Sequence, residues 1–363
     1  MSAMFDLTCP TISPAQESAL AQLFSPTGPP KYVLGCNGFS ESVARAVPVT
    51  AYVDDFTPET SFKDKPVVRL DALPQESVVV SCAVAMRPLT ALRRLQTVGV
   101  RWVLDYFTLS RLHPELFPAP TYLEGSREDI LQNLPHYERL YQRLADEPSR
   151  LALRNVTSFR ATRELEHMRG FTLATDHQYF EDFLNLGEGE VFVDGGGFDG
   201  QTSLKFHARC PRHQRIHFFE PSPEMLVVAR RNLRDVPRVE FIQKGLFHRA
   251  SRVRFDASGG TGSCICETGG LEIEVTSLDE AVAEPVSFIK LDVEGAEYDA
   301  LQGANGHIAR HHPKLAVCVY HRQDDFWRIP ELVLRLYPAY QVFFRHYTEG
   351  ILESVMFFIP LSA

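Results

Sequence analysis

The sequence predicts an α/β protein: a doubly wound, mostly parallel sheet finishing in an antiparallel hairpin, with a smaller α/β domain ahead of it. Three observations carry this. Phe288-Ile-Lys-Leu-Asp-Val-Glu-Gly-Ala-Glu297 is an apolar run that climbs to an aspartate and then turns helix-like. A buried strand of this kind delivers carboxylates to the rim of a parallel sheet, where open α/β folds keep their sites. Val191-Phe-Val-Asp-Gly-Gly-Gly-Phe-Asp-Gly200 has the same design, with glycines replacing the second acid. Near the C-terminus, apolar runs at 341–344 and 355–359 flank Thr348-Glu-Gly350, a turn signal between antiparallel strands.

The elements follow in chain order. Lys31-Tyr-Val-Leu-Gly35 is a short strand running into Cys-Asn-Gly38, and residues 41–47 continue at helical spacing. Strands at 49–55, 67–68, 78–82 and 102–104, with a helix at 89–95, complete a small parallel sheet. Between 124 and 170 the chain turns charged and helical: Leu131, Leu134, Tyr137, Leu140, Tyr141 and Leu144 recur at three-and-four spacing. The predicted division is therefore an N-terminal Rossmann-like domain over 1–123, a helical bridge over 124–170 and a larger domain over 171–363. In the larger domain, strands end at Asp194 and Glu220 and another covers 239–243. After an antiparallel insertion (252–255 and 271–275), strands cover 286–292 and 315–320.

Composition narrows the function. With 363 residues, 44% hydrophobic and 23% charged, the chain has core material for two globular domains. A net charge of −9 and the lack of a dense Lys/Arg run argue against nucleic acid as a partner. No apolar window approaches the ~18 residues of a bilayer span. The first residues lack the basic-then-apolar order of a signal peptide. Seven cysteines, odd in number and irregular in spacing, suit reduced thiols, so a cytoplasmic protein is expected. Cys264-Ile-Cys266 is the only close pair, and two ligands cannot close a tetrahedral zinc site.

Glycines at 195, 196, 197 and 200 let the chain turn from strand to helix and approach a ligand without a Cβ. Glu220 ends the next strand, just before Pro221, at the place where an acid grips a ribose diol. No P-loop lysine accompanies the glycines, which favours a nucleoside cofactor over a phosphate anchor. On these residues, together with Thr276-Ser-Leu-Asp279 and the block from Lys290 to Gly303, the segment 171–359 resembles the FkbM family of S-adenosylmethionine-dependent methyltransferases. The parallel sheet with its terminal hairpin is likewise the class I methyltransferase layout. The resemblance implies S-adenosylmethionine as cofactor, with Asp194, Gly196 and Gly200 lining its methionine end and Glu220 on its ribose. Gly195, Gly197, Pro221 and Asp292 complete the expected cofactor set. Gly195 and Gly197 replace bulkier residues of the family pattern. The acceptor it implies is a hydroxyl of a sugar, glycan or secondary metabolite.

Asp292, Glu294 and His321 are the expected catalytic residues. Asp292 ends the fourth strand beside the reactive end of the cofactor, and Glu294 and Glu297 follow within a turn. His321 ends the fifth strand, and an ordinary pKa near ~6.5 would suit a general base. Lys290, inside its strand, reads as one half of a buried ion pair, and His307, His311 and His312 as a solvated helix end. Asp292, Glu294 and His321 could also gather a divalent cation, but no spacing in the sequence demands one and none is expected.

Gly35-Cys-Asn-Gly38, with Asp54-Asp55 after the next strand, resembles the N-terminal nucleotide-binding domain of bacterial sugar acyltransferases. Nucleotide-sugar binding, acceptor docking and homo-oligomer formation all stay open for it. The alternative for the whole chain is a non-catalytic nucleotide-sugar-binding scaffold. A nicotinamide-dependent oxidoreductase lacks its third glycine.

Overall fold

The computed structural model describes residues 4–256, 264–265 and 271–361, and the chain divides into two compact units. The first comprises Met1–Gln132, Arg154–Thr175 and His346–Leu352; the second comprises Asn133–Leu153, Asp176–Arg345 and Glu353–Ala363. The segment expected as a bridge is thus shared between the units. Residues 171–175 and 346–352, inside the expected larger domain, fold with the first unit.

In the first unit, β1 (Lys31–Leu34), β2 (Ala51–Val53), β3 (Ser61–Phe62), β4 (Lys65–Val68), β5 (Val78–Ser81) and β6 (Trp102–Asp105) lie in the order β3-β4-β2-β1-β5-β6. All pairs but β3–β4 are parallel. Val53, Leu70, Leu73, Val79, Leu95 and Val100 form a core between sheet and helix. The helix Pro88–Val98 starts on a proline, whose missing N–H costs nothing at a first turn. It ends at Gly99 in a left-handed conformation, φ +83°.

Residues 346–352 complete that helix. The Glu349 carboxylate accepts from the Thr90 N–H (2.6 Å) and hydroxyl (2.6 Å) and pairs with Arg93 at 2.7 Å. A Cβ on Gly350 would lie 2.2 Å from the Ala85 carbonyl oxygen, so only glycine fits there. His346 is buried in this unit with its ring edge-on to Phe171.

The glycine turn after β1 is closed by its own asparagine. Asn37 caps the helix Gly38–Ala46 by accepting from the N–H groups of Phe39 and Ser40, and its amide donates to Cys82 O at 3.1 Å. Asp54 accepts from the N–H of Phe56, and Asp55 accepts from that of Leu70 and pairs with Arg94.

The second unit holds β7 (Val191–Gly195), β8 (Arg215–Phe219), β9 (Val239–Ile242), β10 (Gly245–Leu246), β11 (Ser251–Asp256), β12 (Cys264–Ile265), β13 (Leu271–Thr276), β14 (Phe288–Leu291), β15 (Lys314–Cys318), β16 (Tyr340–His346) and β17 (Ser354–Pro360). The main sheet runs β16-β17-β15-β14-β7-β8-β9. Its members from β15 to β9 are parallel, and β17 is antiparallel to β15. This is the doubly wound sheet with a terminal antiparallel strand that the sequence predicts. Beside it, β10-β13-β11-β12 forms the inserted sheet. Cys266 lies outside the described residues.

The chain enters the main sheet at β7, builds β8 and β9 on one side, then crosses to β14 and β15 on the other. The crossover lies at the C-terminal ends of β7 and β14, the switch point where open α/β sheets keep their ligand sites. Phe192, Phe206 and Phe288 stack beneath it. Asn133–Leu153 is tied to the sheet edge by Asp146, which pairs with Arg345 at 2.7 Å.

Burial drives the pKa of His346 down to about 3, the Arg160 guanidinium pushing the same way. An unfolded histidine protonates near ~6.5. Between those values the unfolded chain binds more protons, so stability is full above pH ~6.5 and falls as pH drops toward 3. Denaturant unfolding of the wild type from pH 7 to pH 4 should show that loss, and His346→Asn should flatten it. An unchanged slope in the variant would assign the acid sensitivity elsewhere.

Candidate active site

Four parallel strands present their C-terminal ends side by side: Cys318 on β15, Asp292 just past β14, Gly195 on β7 and Glu220 just past β8. The centre of this rim is not a carboxylate but an ammonium. Lys290, buried on β14 opposite Asp194 on β7, donates to the carbonyl oxygens of Gly195 (3.1 Å) and Gly196 (2.7 Å). It stands 3.2 Å from Asp194 Oδ1 and 5.3 Å from the Tyr179 ring centroid. Burial by itself would lower the lysine pKa; Asp194 and Asp292 outweigh it and raise it.

The predicted loop residues fall into place around that ammonium. Asp194 is fully buried and accepts from the Ser203 hydroxyl at 2.7 Å. Its carboxylate is thus engaged by Ser203 and Lys290 inside the loop that the sequence assigns to the cofactor. Gly196 has φ +72°, and a Cβ there would lie 1.9 Å from Asp292 O. A Cβ on Gly197 would enter the Phe218 ring, and one on Gly195 would crowd Leu291 and Leu246. These glycines let β7, β8 and β14 close on one another. Gly200, φ +87°, starts the helix Gln201–Arg209. Exposed Phe198 crowns the turn in a left-handed conformation, φ +50°.

Glu220 sits where the sequence places it. Its two carboxylate oxygens accept from the N–H of Phe198 (3.0 Å) and of Ser222 (2.8 Å). Burial raises its pKa against those two donors. Each oxygen keeps a second lone pair. Pro221 follows, half-buried, and Ser222 caps the helix Pro223–Asn232.

On the other side of the crossover, Asp292 is 26% exposed and accepts from the Tyr179 hydroxyl at 2.8 Å through Oδ2. Burial alone would raise its pKa, but Lys290, His321 and Tyr179 hold it below the usual carboxylate range. Tyr179 also lies 3.2 Å from the Cys318 sulfur. Glu294, φ +55°, and Gly295, φ +88°, make the turn after Asp292. Fully buried Glu297 reaches back to accept from the Val293 N–H at 2.8 Å.

His321 joins the three acids. Its Nδ1 is 2.8 Å from Glu297 Oε1, and its Nε2 is 3.5 Å from Glu294 Oε2 and 3.6 Å from Asp292 Oδ1. Burial would lower the imidazole pKa, yet Glu297, Asp292 and Glu294 overcome it and bring it up to about 10. The carboxylates around the ring thus favour its charged form, where the sequence reading assumes an ordinary imidazole. One ligand atom each of Asp292, Glu297 and His321 lies within 4.8 Å of the others.

Sequence reasoning missed Glu353 and Gln178. They are hydrogen-bonded, and burial together with Asp292 raises the Glu353 pKa to about 7. No strand-end acid pattern marks Glu353, which enters from the segment before β17. His307, expected at a solvated helix end, is buried against Val282 O at 3.0 Å.

Lys290→Met removes one partner of a buried charge pair and leaves Asp194 uncompensated. Urea unfolding should show a loss of about 3–5 kcal/mol. The double change Asp194→Asn with Lys290→Met should cost less than the single. A Lys290→Met protein as stable as wild type would contradict the central role of this ammonium.

The comparisons agree with this architecture. The chain is similar to the crystal structure of methyltransferase FkbM from Methylobacillus flagellatus KT, with TM-score 0.75 and 24% identity over 98% of this chain and 95% of that one. A curated relative, 2-O-methyltransferase NoeI of Sinorhizobium fredii (strain NBRC 101917 / NGR234), is 26% identical over 138 residues. That match covers 31% of this chain and spans about half, 56%, of the relative's length. Residues 194–349, which contain the strand-end rim, match the family described as methyltransferase FkbM domain.

Proposed function

We propose that the protein transfers a methyl group from S-adenosylmethionine to a hydroxyl oxygen of a sugar, glycan or secondary metabolite. The observation that carries this reading is the placement of Glu220 and Asp292 on either side of the crossover, at the ends of strands separated by β7 alone. That is the span of a nucleoside with a short polar tail, and Glu220 retains acceptor capacity for two ribose hydroxyls. The 2-O-methyltransferase name of the curated relative supports oxygen as the target atom.

When bound, the cofactor would supply an electrophilic methyl group. The remaining work is orientation in a protected crevice, which can contribute ~7–11 kcal/mol. Asp292 Oδ1 accepts no hydrogen bond among the described residues. The Asp292 carboxylate, at the end of its strand, is the group to receive the acceptor hydroxyl, and Tyr179 fixes its Oδ2. His321 and Lys290 keep Asp292 ionised. The net charge of −9 favours a small or glycan acceptor over nucleic acid. No described helix is long and apolar enough to cross a membrane, and the scattered thiols fit the cytoplasm.

Calorimetric titration with S-adenosylhomocysteine should show one site per chain, weakened tenfold or more by Glu220→Ala. Asp292→Asn should lower turnover by ~10²–10⁴ while largely keeping that affinity. No heat with the wild type would favour the non-catalytic scaffold.

A further inference from the structure

We propose that the cavity where the helices Glu297–Gln302 and Asp325–Leu336 meet is the acceptor subsite, and that it takes a sugar residue carrying a carboxylate. Its role as acceptor subsite rests on the methyl-transfer reading, and the cavity itself on geometry. It holds 420 Å³ and is lined by Gly295, Tyr298, Asp299, Gln302, Arg322 and Arg328. Small-molecule sites span ~300–1,000 Å³, so one sugar ring is within its capacity. Its place follows from two strand ends. Gly295 belongs to the turn after Asp292, and Arg322 is the residue after His321. The two touch: Arg322 Nη1 donates to Gly295 O at 3.4 Å, and a Cβ on Gly295 would meet the Arg322 stem at 3.7 Å. The two helices follow β14 and β15, whereas Glu220 ends β8, beyond β7. A cofactor held along β8 and β7 leaves this ground to the acceptor.

The ligand class follows from charge. Arg328 is fixed in place: Asp324 pairs with it at 2.6 Å, and its guanidinium lies 4.1 Å from the Tyr298 ring centroid. That pairing engages Nη1 and leaves other N–H donors of the fork. Arg322 is exposed, and among the described residues its guanidinium meets the Gly295 carbonyl and no carboxylate. The nearest acids are engaged elsewhere: Asp299 stands 3.2 Å from His248 Nδ1, and Glu294 stands 3.5 Å from His321 Nε2. Two guanidinium groups on one polar cavity favour an anion, and their planar forks match a carboxylate. A phosphate monoester would bring nearly two charges toward Asp299 and Glu294, so the single charge of a carboxylate suits the cavity better. Gln302 and Asp299 supply a donor and acceptors for ring hydroxyls.

The test is saturation-transfer NMR on the full chain with D-glucuronate, D-glucose and glucose 1-phosphate as probes. D-glucuronate is expected to bind about tenfold tighter than D-glucose. Arg322→Gln and Arg328→Gln should each weaken D-glucuronate about tenfold, and Arg322→Lys, which keeps the charge and loses the fork, should weaken it less. Arg335→Gln, at an exposed arginine about two turns along the same helix and outside the cavity, should leave binding unchanged. No D-glucuronate binding, or binding that both glutamine changes leave intact, would overturn the site. Equal binding of D-glucose, or tighter binding of glucose 1-phosphate, would overturn the carboxylate class. Calorimetry with S-adenosylhomocysteine on the same samples separates the two readings. Cofactor heat without D-glucuronate binding sinks the subsite alone; D-glucuronate binding without cofactor heat keeps the sugar site and sinks methyl transfer.

Discussion

Lys290 carries one positive charge into the middle of a parallel sheet, where water cannot screen it. Asp194 answers the charge from the neighbouring strand, and the carbonyls of Gly195 and Gly196 answer it from the loop. A buried ion pair gains little over apolar packing in total stability, but it fixes geometry, because removing either partner strands the other. Here it joins β7 to β14 at the point where the chain reverses its winding. Gly196 can then approach Asp292 O more closely than any side chain would allow. The two halves of the sheet therefore meet with their strand ends side by side.

The electrostatics of the rim follow from that join. On one side Glu220 is held by two backbone N–H groups and surrounded by little charge. On the other, carboxylates gather around His321 so densely that the ring pKa rises to about 10 despite burial. Asp292 stands between these regimes: Lys290 and His321 hold its pKa down, and in turn its charge helps raise that of Glu353 to about 7. One side offers acceptor oxygens; the other concentrates negative charge around one histidine.

Much of this was legible in the sequence, for physical reasons. An apolar run ending in an acid reads as a buried strand reaching the rim of its sheet, so Asp292 and Glu220 declared themselves. So did the doubly wound order and its closing hairpin. Asp194 looked the same as those two, yet it is buried, because a strand-end acid opposite a lysine is drawn inward and only the register reveals the pairing. The pKa of His321 was illegible because Glu297 reaches it from the helix after another strand. Glu353 and Gln178 meet across 175 residues of chain with no motif to mark either. The helix Pro14–Phe24 went unread although Ser13 and Gln16 form a capping box. The role of residues 346–352 in the first unit was hidden because Thr348-Glu-Gly350 reads equally well as a plain turn.

The most direct test is a crystal structure of the protein grown with S-adenosylhomocysteine. The account predicts density along the ends of β8, β7 and β14, with the ribose hydroxyls on Glu220, the sulfur toward Asp292 and the Lys290–Asp194 pair intact beneath. Density elsewhere on the molecule, or a ribose that avoids Glu220, would contradict it.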